Sequence, residues 1–221
     1  MTPRTAKSSR TSLDTLIKSK QRVKAHGEVF TPIHMVDQML DLVSAELESG
    51  PDFVDKTFFE PAAGNGNFLA RILQRKLEAI ERRYPSEAWS TESLFALASI
   101  YGIELLEDNH LEAQGWLLDV FCLFHENNGV RCDRRTNLRR SAEYLIANNI
   151  IQGNTLTGLT AAGDPVIFSW WHRVPDVPAT VQREEFSLAS LRSADAFDFA
   201  TYDAYEPCLI THVHKEVKAD G

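Results

Sequence analysis

The 221 residues carry a net charge of −8, with 43% hydrophobic and 24% charged side chains, which points to a soluble globular protein long enough to bury a full core. No run of about 18 apolar residues exists to span a membrane, and the basic N-terminus lacks the apolar stretch of a signal peptide. Cys122, Cys132 and Cys208 are scattered without a C-x-x-C pair, so neither a disulfide framework nor a zinc site is expected, and a reducing, cytoplasmic setting is.

In chain order, residues 1–12 are rich in Ser, Thr, Arg and Lys and read as a flexible arm. A short helix is expected from Ser12, with Leu13, Leu16, Ile17 and Val23 on one face. Residues 1–26 hold seven cations against Asp14, a local balance of +6 that leaves −14 on the remainder. An acidic body binds DNA poorly, because phosphate neutralisation supplies most non-specific affinity. Any DNA contact is therefore expected from the arm or from a partner, and a plainly solvated tail is the alternative. Next, Thr31 is placed as N-cap and Pro32 as the first residue of an amphipathic helix with apolar positions 35, 36, 39, 40 and 43.

Phe58 and Phe59 then form a β-prone pair ending on Glu60 and Pro61. A small-residue turn with Gly64 and Gly66 follows, and after it a helical apolar pattern through Leu69, Ile72, Leu73, Leu77 and Ile80. This strand, glycine turn and helix builds a ligand cleft at the carboxyl edge of a parallel sheet. Glycine lets the backbone approach a ligand, and the helix start offers free N–H groups. Phe68 and Leu69 occupy the place of the third glycine of G-x-G-x-x-G, and no Gly-Lys-Ser/Thr of a phosphate loop follows.

Residues 82–92 read as a helix end and connection, and Ser99–Ile103 as a buried strand ending in Glu104. An acid at that tip is placed to accept bonds from both ribose hydroxyls, with Leu105 against an adenine face. The 44 residues from Glu60 to Glu104 exceed the roughly 20 of a minimal dinucleotide fold, which a long first helix and its connection explain. Residues 109–124 read as a helix with Leu111, Trp116, Leu117, Val120 and Phe121 available to pack, and 126–140 as a loop with five arginines. A short strand precedes Gly153-Asn154-Thr155-Leu156. Another is expected over 165–168, before Ser169-Trp170-Trp171-His172, and short strands or hairpins over the last 50 residues. His172, His212 and His214 lack an evident third ligand, so no metal site is expected.

Taken together, Glu60-Pro61-Ala62-Ala63-Gly64-Asn65-Gly66-Asn67-Phe68-Leu69 resembles motif I of adenine-N6 DNA methyltransferases, which bind S-adenosylmethionine. About 30 residues upstream, Gly27-Glu28-Val29-Phe30-Thr31-Pro32 resembles motif X, whose turn closes over the methionine end of the cofactor. Gly102-Ile103-Glu104-Leu105 resembles motif II, and Gly153-Asn154-Thr155-Leu156 resembles motif III, with Asn154 in place of the usual acid. The resemblance implies a cofactor site built from Phe30, Thr31, Glu60, Pro61, Ala62 and Gly64, with Gly66, Asn67, Phe68, Glu104, Leu105 and Asn154. Asn154 is expected to accept from the adenine amine more weakly than the acid.

The family's catalytic motif IV, an Asp/Asn/Ser-Pro-Pro-aromatic tetrapeptide, is not found; the chain contains no Pro-Pro. Ser169 and Trp171 are the nearest candidates, since Ser-Trp-Trp-His offers an oxygen and rings but no rigid turn. Trp170 and Trp171 read first as core or interface aromatics. The expectation is an α/β chain: a basic arm with a short helix over 1–25, a Rossmann-like methyltransferase sheet over 26–160 truncated after its fourth strand, and a divergent segment over 161–221. By resemblance the chain binds S-adenosylmethionine and methylates adenine N6 in DNA, in the manner of restriction–modification enzymes. The alternative is a catalytically incomplete accessory or regulatory subunit that relies on a separate specificity or catalytic polypeptide.

Overall fold

A computed structural model describes residues 18–26, 28–189 and 203–219. Leu13, Leu16 and Ile17 lie outside them, and the first described helix, α1, is Lys20–His26. The next, α2 (Ile33–Asp41), starts one residue later than its sequence suggests, because Pro32 stands at the N-cap and accepts the N–H groups of Met35 and Val36. Its narrow apolar stripe buries Val36 and Leu40 and leaves Met35 and Met39 exposed.

Three short strands, β1 (Phe58–Glu60), β2 (Ile100–Glu104) and β3 (Ile150–Gln152), run parallel in the order β1-β2-β3. Side chains alternate across this sheet. Ile100 and Ile150 join a large core with helices α3 (Asn67–Arg83), α4 (Trp89–Ala98), α5 (Glu107–Asn127) and α6 (Asn137–Asn149). All five residues expected to face inward on α3 are buried. The helix α4 was not evident in the sequence: residues 93–98 are buried throughout, so they show no amphipathic period, and their strand-like apolar run hides a helix. In α5, Leu117 and Phe121 pack inward while Leu111 and Trp116 face solvent. The arginine-rich stretch read as loop gives way at Asn137 to α6, whose N-cap Thr136 accepts from the Arg139 N–H.

The opposite face of the parallel sheet, carrying Tyr101, Ile103 and Ile151, is covered by a second, antiparallel sheet. Its strands are β4 (Ile167–Arg173), β5 (Thr180–Ser187) and β6 (Cys208–Leu209). Phe168 stands edge-on to both Phe59 and Tyr101, at 5.7 and 6.0 Å between ring centres. The expected fourth strand of the parallel sheet is therefore the first strand of another layer. Its registered antiparallel partner β5 supplies hydrogen bonds along its whole length, from Ile167↔Ser187 to Arg173↔Val181. The architecture is mixed α/β: helices, a parallel sheet and an antiparallel sheet.

Arg183 ties this second sheet to the helices. Its five N–H donors reach Ser169 Oγ, Tyr144 Oη, Glu216, Asn148 Oδ1 and Glu185. It lies against the rings of Tyr205 and Trp171 as well. Trp171 Nε1 in turn donates to Asn149 Oδ1 at 2.7 Å. The turn Ile210–Lys215 packs Ile210 and Val213 into the main core, with His214 bonded to Ser141 and His212 to Asn137. The fold also brings Cys122 Sγ within 3.2 Å of Cys132 Sγ, both buried, a pairing invisible in their spacing. Among the described residues no group of His, Cys, Asp or Glu is arranged to hold a metal ion, and no helix is long and apolar enough to cross a membrane.

Two predictions follow from buried charges. Arg183 is 6% exposed and satisfies two carboxylates, so Arg183→Met strands both and should lower unfolding stability by roughly 3–5 kcal/mol in chemical denaturation. Adding Glu216→Gln should recover part of that loss. Lys76 is wholly buried and donates to Val54 O, Lys56 O and Ser99 Oγ. Burial pushes it down to about 7, with Asp55 and Asp52 partly opposing. An unfolded lysine keeps its proton to higher pH, so the unfolded chain binds more protons between the two values and stability rises with pH there. Relative to Lys76→Met, the protein should gain about 3 kcal/mol between pH 7 and 9.5; parallel pH profiles would show the lysine to be free of this burden.

Candidate functional site

The carboxyl ends of the three parallel strands open into a cleft of about 390 Å³, within the size range of small-molecule sites. Its base is set by β2. The Ile103 carbonyl accepts from Ala63 N, and the Glu104 carbonyl accepts from Gly153 N, both at 2.9 Å. The buried Glu104 side chain finishes the arrangement: Oε2 accepts from Gly64 N at 2.7 Å and Oε1 from Leu106 N at 2.9 Å. One residue thus fixes the glycine turn, the entry to α5 and the loop after β3. Across the cleft, the Thr155 hydroxyl donates to the Pro61 carbonyl.

The two glycines of the turn are required by its backbone and by packing within the chain. Gly64 and Gly66 adopt φ of +56° and +85°. A Cβ on Gly66 would lie 2.6 Å from Ala113 Cα, whereas one on Gly64 would meet the Phe30 ring at an ordinary 3.4 Å, so it is the left-handed backbone that calls for glycine there. Phe30 is thereby seated over the turn although 34 residues separate the two.

Of the twelve sequence-derived cofactor residues, Phe30, Pro61, Ala62, Gly64, Glu104 and Leu105 line the cleft, as does Asn154. Thr31, Glu60, Gly66, Asn67 and Phe68 do not. Glu60 Oε1 accepts from Ala62 N, and burial raises its carboxyl above the usual range. Gly66 is the N-cap of α3, Asn67 is that helix's first residue, and Phe68 packs against the core. Asn154 differs from expectation in detail, because its Oδ1 already accepts from Leu156 N and Thr157 N, closing its own turn. Its Nδ2 is the end of the amide that this turn leaves uncommitted. Leu105, 50% exposed, presents an apolar surface. Ser169 and Trp171 line no part of the cleft and belong to the Arg183 network on the far layer.

Sequence reasoning missed Asn109, which lines the cleft while being buried, and the role of Glu28 beside it. Arg22 donates to Glu28 and to Asp108, Lys18 pairs with Asp108 and Glu112, and Asn109 Nδ2 donates to Glu28 Oε1 at 3.1 Å. Burial alone would raise the Glu28 carboxyl, but Arg22 and Asn109 outweigh it and hold it below the usual range. Two of the arm's cations are thus engaged within the chain. Nothing local in the sequence marks Asn109, whose partner is 81 residues away.

No protein-family model matches the sequence, and neither a curated protein nor a solved structure matches the chain.

Gly66→Ala places a side chain in left-handed backbone and against Ala113. It should cost about 1–3 kcal/mol of stability, read by thermal melts of the variant against the wild-type protein.

Proposed function

We propose that the chain binds S-adenosylmethionine or its demethylated product in this cleft, as a protein of the DNA methyltransferase type. The observation that carries this reading is convergence: Phe30, Gly64, Glu104 with Leu105, and Asn154 come from four segments that resemble motifs X, I, II and III, and all line one cleft. The residues suit the group. Each Glu104 oxygen holds one backbone N–H and keeps a second lone pair for a ribose hydroxyl. Leu105 offers an apolar face to a base, Asn154 Nδ2 a donor to its ring nitrogens, and Phe30 a wall above the glycine turn. When bound, S-adenosylmethionine supplies an electrophilic methyl group on sulfur.

The reaction implied by resemblance is transfer to adenine N6 in DNA. The arrangement favours the accessory form of this reading for the isolated chain, because Ser169 and Trp171 are committed to Arg183 and Asn149 on another layer. A base amine must be held in line with the methyl, within about 3–3.5 Å, and a partner polypeptide is the proposed source of the groups that hold it. DNA is the proposed macromolecular ligand, met by the arm or by that partner.

Calorimetry with S-adenosylhomocysteine tests the cofactor assignment: binding is expected, and Glu104→Ala should weaken it by about 3 kcal/mol, more than 100-fold. Unchanged affinity would remove Glu104 from the site, and robust DNA methylation by the purified chain would overturn the accessory reading. Residues 1–16 contribute Arg4, Lys7 and Arg10, whereas Lys18 and Arg22 are needed beside the cleft. Deleting residues 1–16 should therefore reduce the salt slope of DNA binding by about 2–3 while preserving cofactor affinity.

A further inference from the structure

We propose that Asn109 makes the cleft selective for a ligand bearing a cationic amine, which donates a hydrogen bond to its Oδ1. The proposal rests on the nucleoside reading of the cleft and deepens it, since that reading assigns nothing to Asn109. The residue stands in the first turn of α5 and is 1% exposed. Its Nδ2 donates to Glu28 Oε1. A carboxylate only accepts, so this contact fixes which end of the amide is nitrogen and leaves the carbonyl oxygen as the other end. That Oδ1 is buried and has no hydrogen-bond partner. A buried acceptor of this kind is destabilising until a donor reaches it.

The surrounding charge selects the kind of donor. Lys18 and Arg22 face Glu28, Asp108 and Glu112, a cluster with one negative charge in excess. Glu104 lines the same cleft and adds another, and no Lys or Arg is among the described residues lining it. A hydroxyl would satisfy Oδ1 but gain nothing from the carboxylates, and an anion would be repelled. An ammonium satisfies the carbonyl and is drawn by the acids as well. For a nucleoside ligand, that group is the amine of an aminoacyl chain. Glu28, which orients Asn109, stands two residues before Phe30, the ring seated over Gly64.

The test is a titration of the full chain with three probes: S-adenosylhomocysteine, its deamino analogue S-adenosyl-4-mercaptobutanoate, and 5′-methylthioadenosine, which lacks the whole amino-acid chain. In the wild-type protein the deamino analogue should bind at least 10-fold more weakly than S-adenosylhomocysteine. Asn109→Leu should weaken S-adenosylhomocysteine at least 10-fold and leave 5′-methylthioadenosine unchanged, which also verifies that the variant is folded. Equal wild-type affinity for the amine and its deamino analogue overturns the proposal, and so does a variant that loses both nucleosides alike or neither. If no probe binds the wild-type protein, the nucleoside reading itself falls, and the proposal with it.

Discussion

Glu104 is the constraint on which the cleft depends. A parallel sheet leaves the carboxyl ends of its strands as loose carbonyls and departing loops, and three loops leave this sheet in the same place. The Glu104 carboxylate and main-chain carbonyl hold Gly64, Leu106 and Gly153 by their N–H groups. The two bonds to the carboxylate, from Gly64 and Leu106, are of the charge-assisted kind, roughly twice as strong as neutral ones. They act where water is mostly excluded, so the positions of the glycine turn, the α5 entry and the Asn154 loop are set together. The same carboxylate lines the cleft, so its direction is set along with them.

The second layer solves a different problem. A sheet buried on one face by helices must bury the other, and here an antiparallel sheet does so through Phe168 and Phe186, joined by Val166 just before β4. Such a sheet needs anchoring, because aromatic packing is weakly directional. Arg183 supplies direction: a rigid fork whose every donor is matched fixes the layer against α6 and the C-terminal turn. The consequence for function is immediate, since the same network consumes Ser169 and, through Asn149, Trp171. The stability of the covering layer and the availability of those side chains for chemistry are mutually exclusive uses.

Ion pairing between α1 and the start of α5 joins the arm to the cleft. Arg22 bridges Glu28 and Asp108, so the segment carrying Phe30 is held by a residue from the basic stretch. Exposed pairs of this sort contribute little singly. Here they position a carboxylate that is itself nearly buried and that orients Asn109, so their value lies in geometry more than in stability.

How much of this was legible beforehand follows from the range of the interactions. The glycine turn, the strands ending at Glu60 and Glu104 and the inward face of α3 are local patterns, repeating every two or 3.6 residues, and the sequence alone determined them. Four of the segments it singled out, at Phe30, Gly64, Glu104 and Asn154, line one cleft. Helix α4 and the start of α6 were obscured, one because complete burial erases amphipathic periodicity and the other because arginines imitate a solvated loop. Only the tertiary structure decided that residues 167–173 leave the parallel sheet for a second layer, that Ser169 and Trp171 serve Arg183 and Asn149, and that Asn109 meets Glu28. Those outcomes turn on contacts between residues 14 to 81 positions apart. No local period encodes such contacts, and satisfying buried charge selects them once the chain has closed.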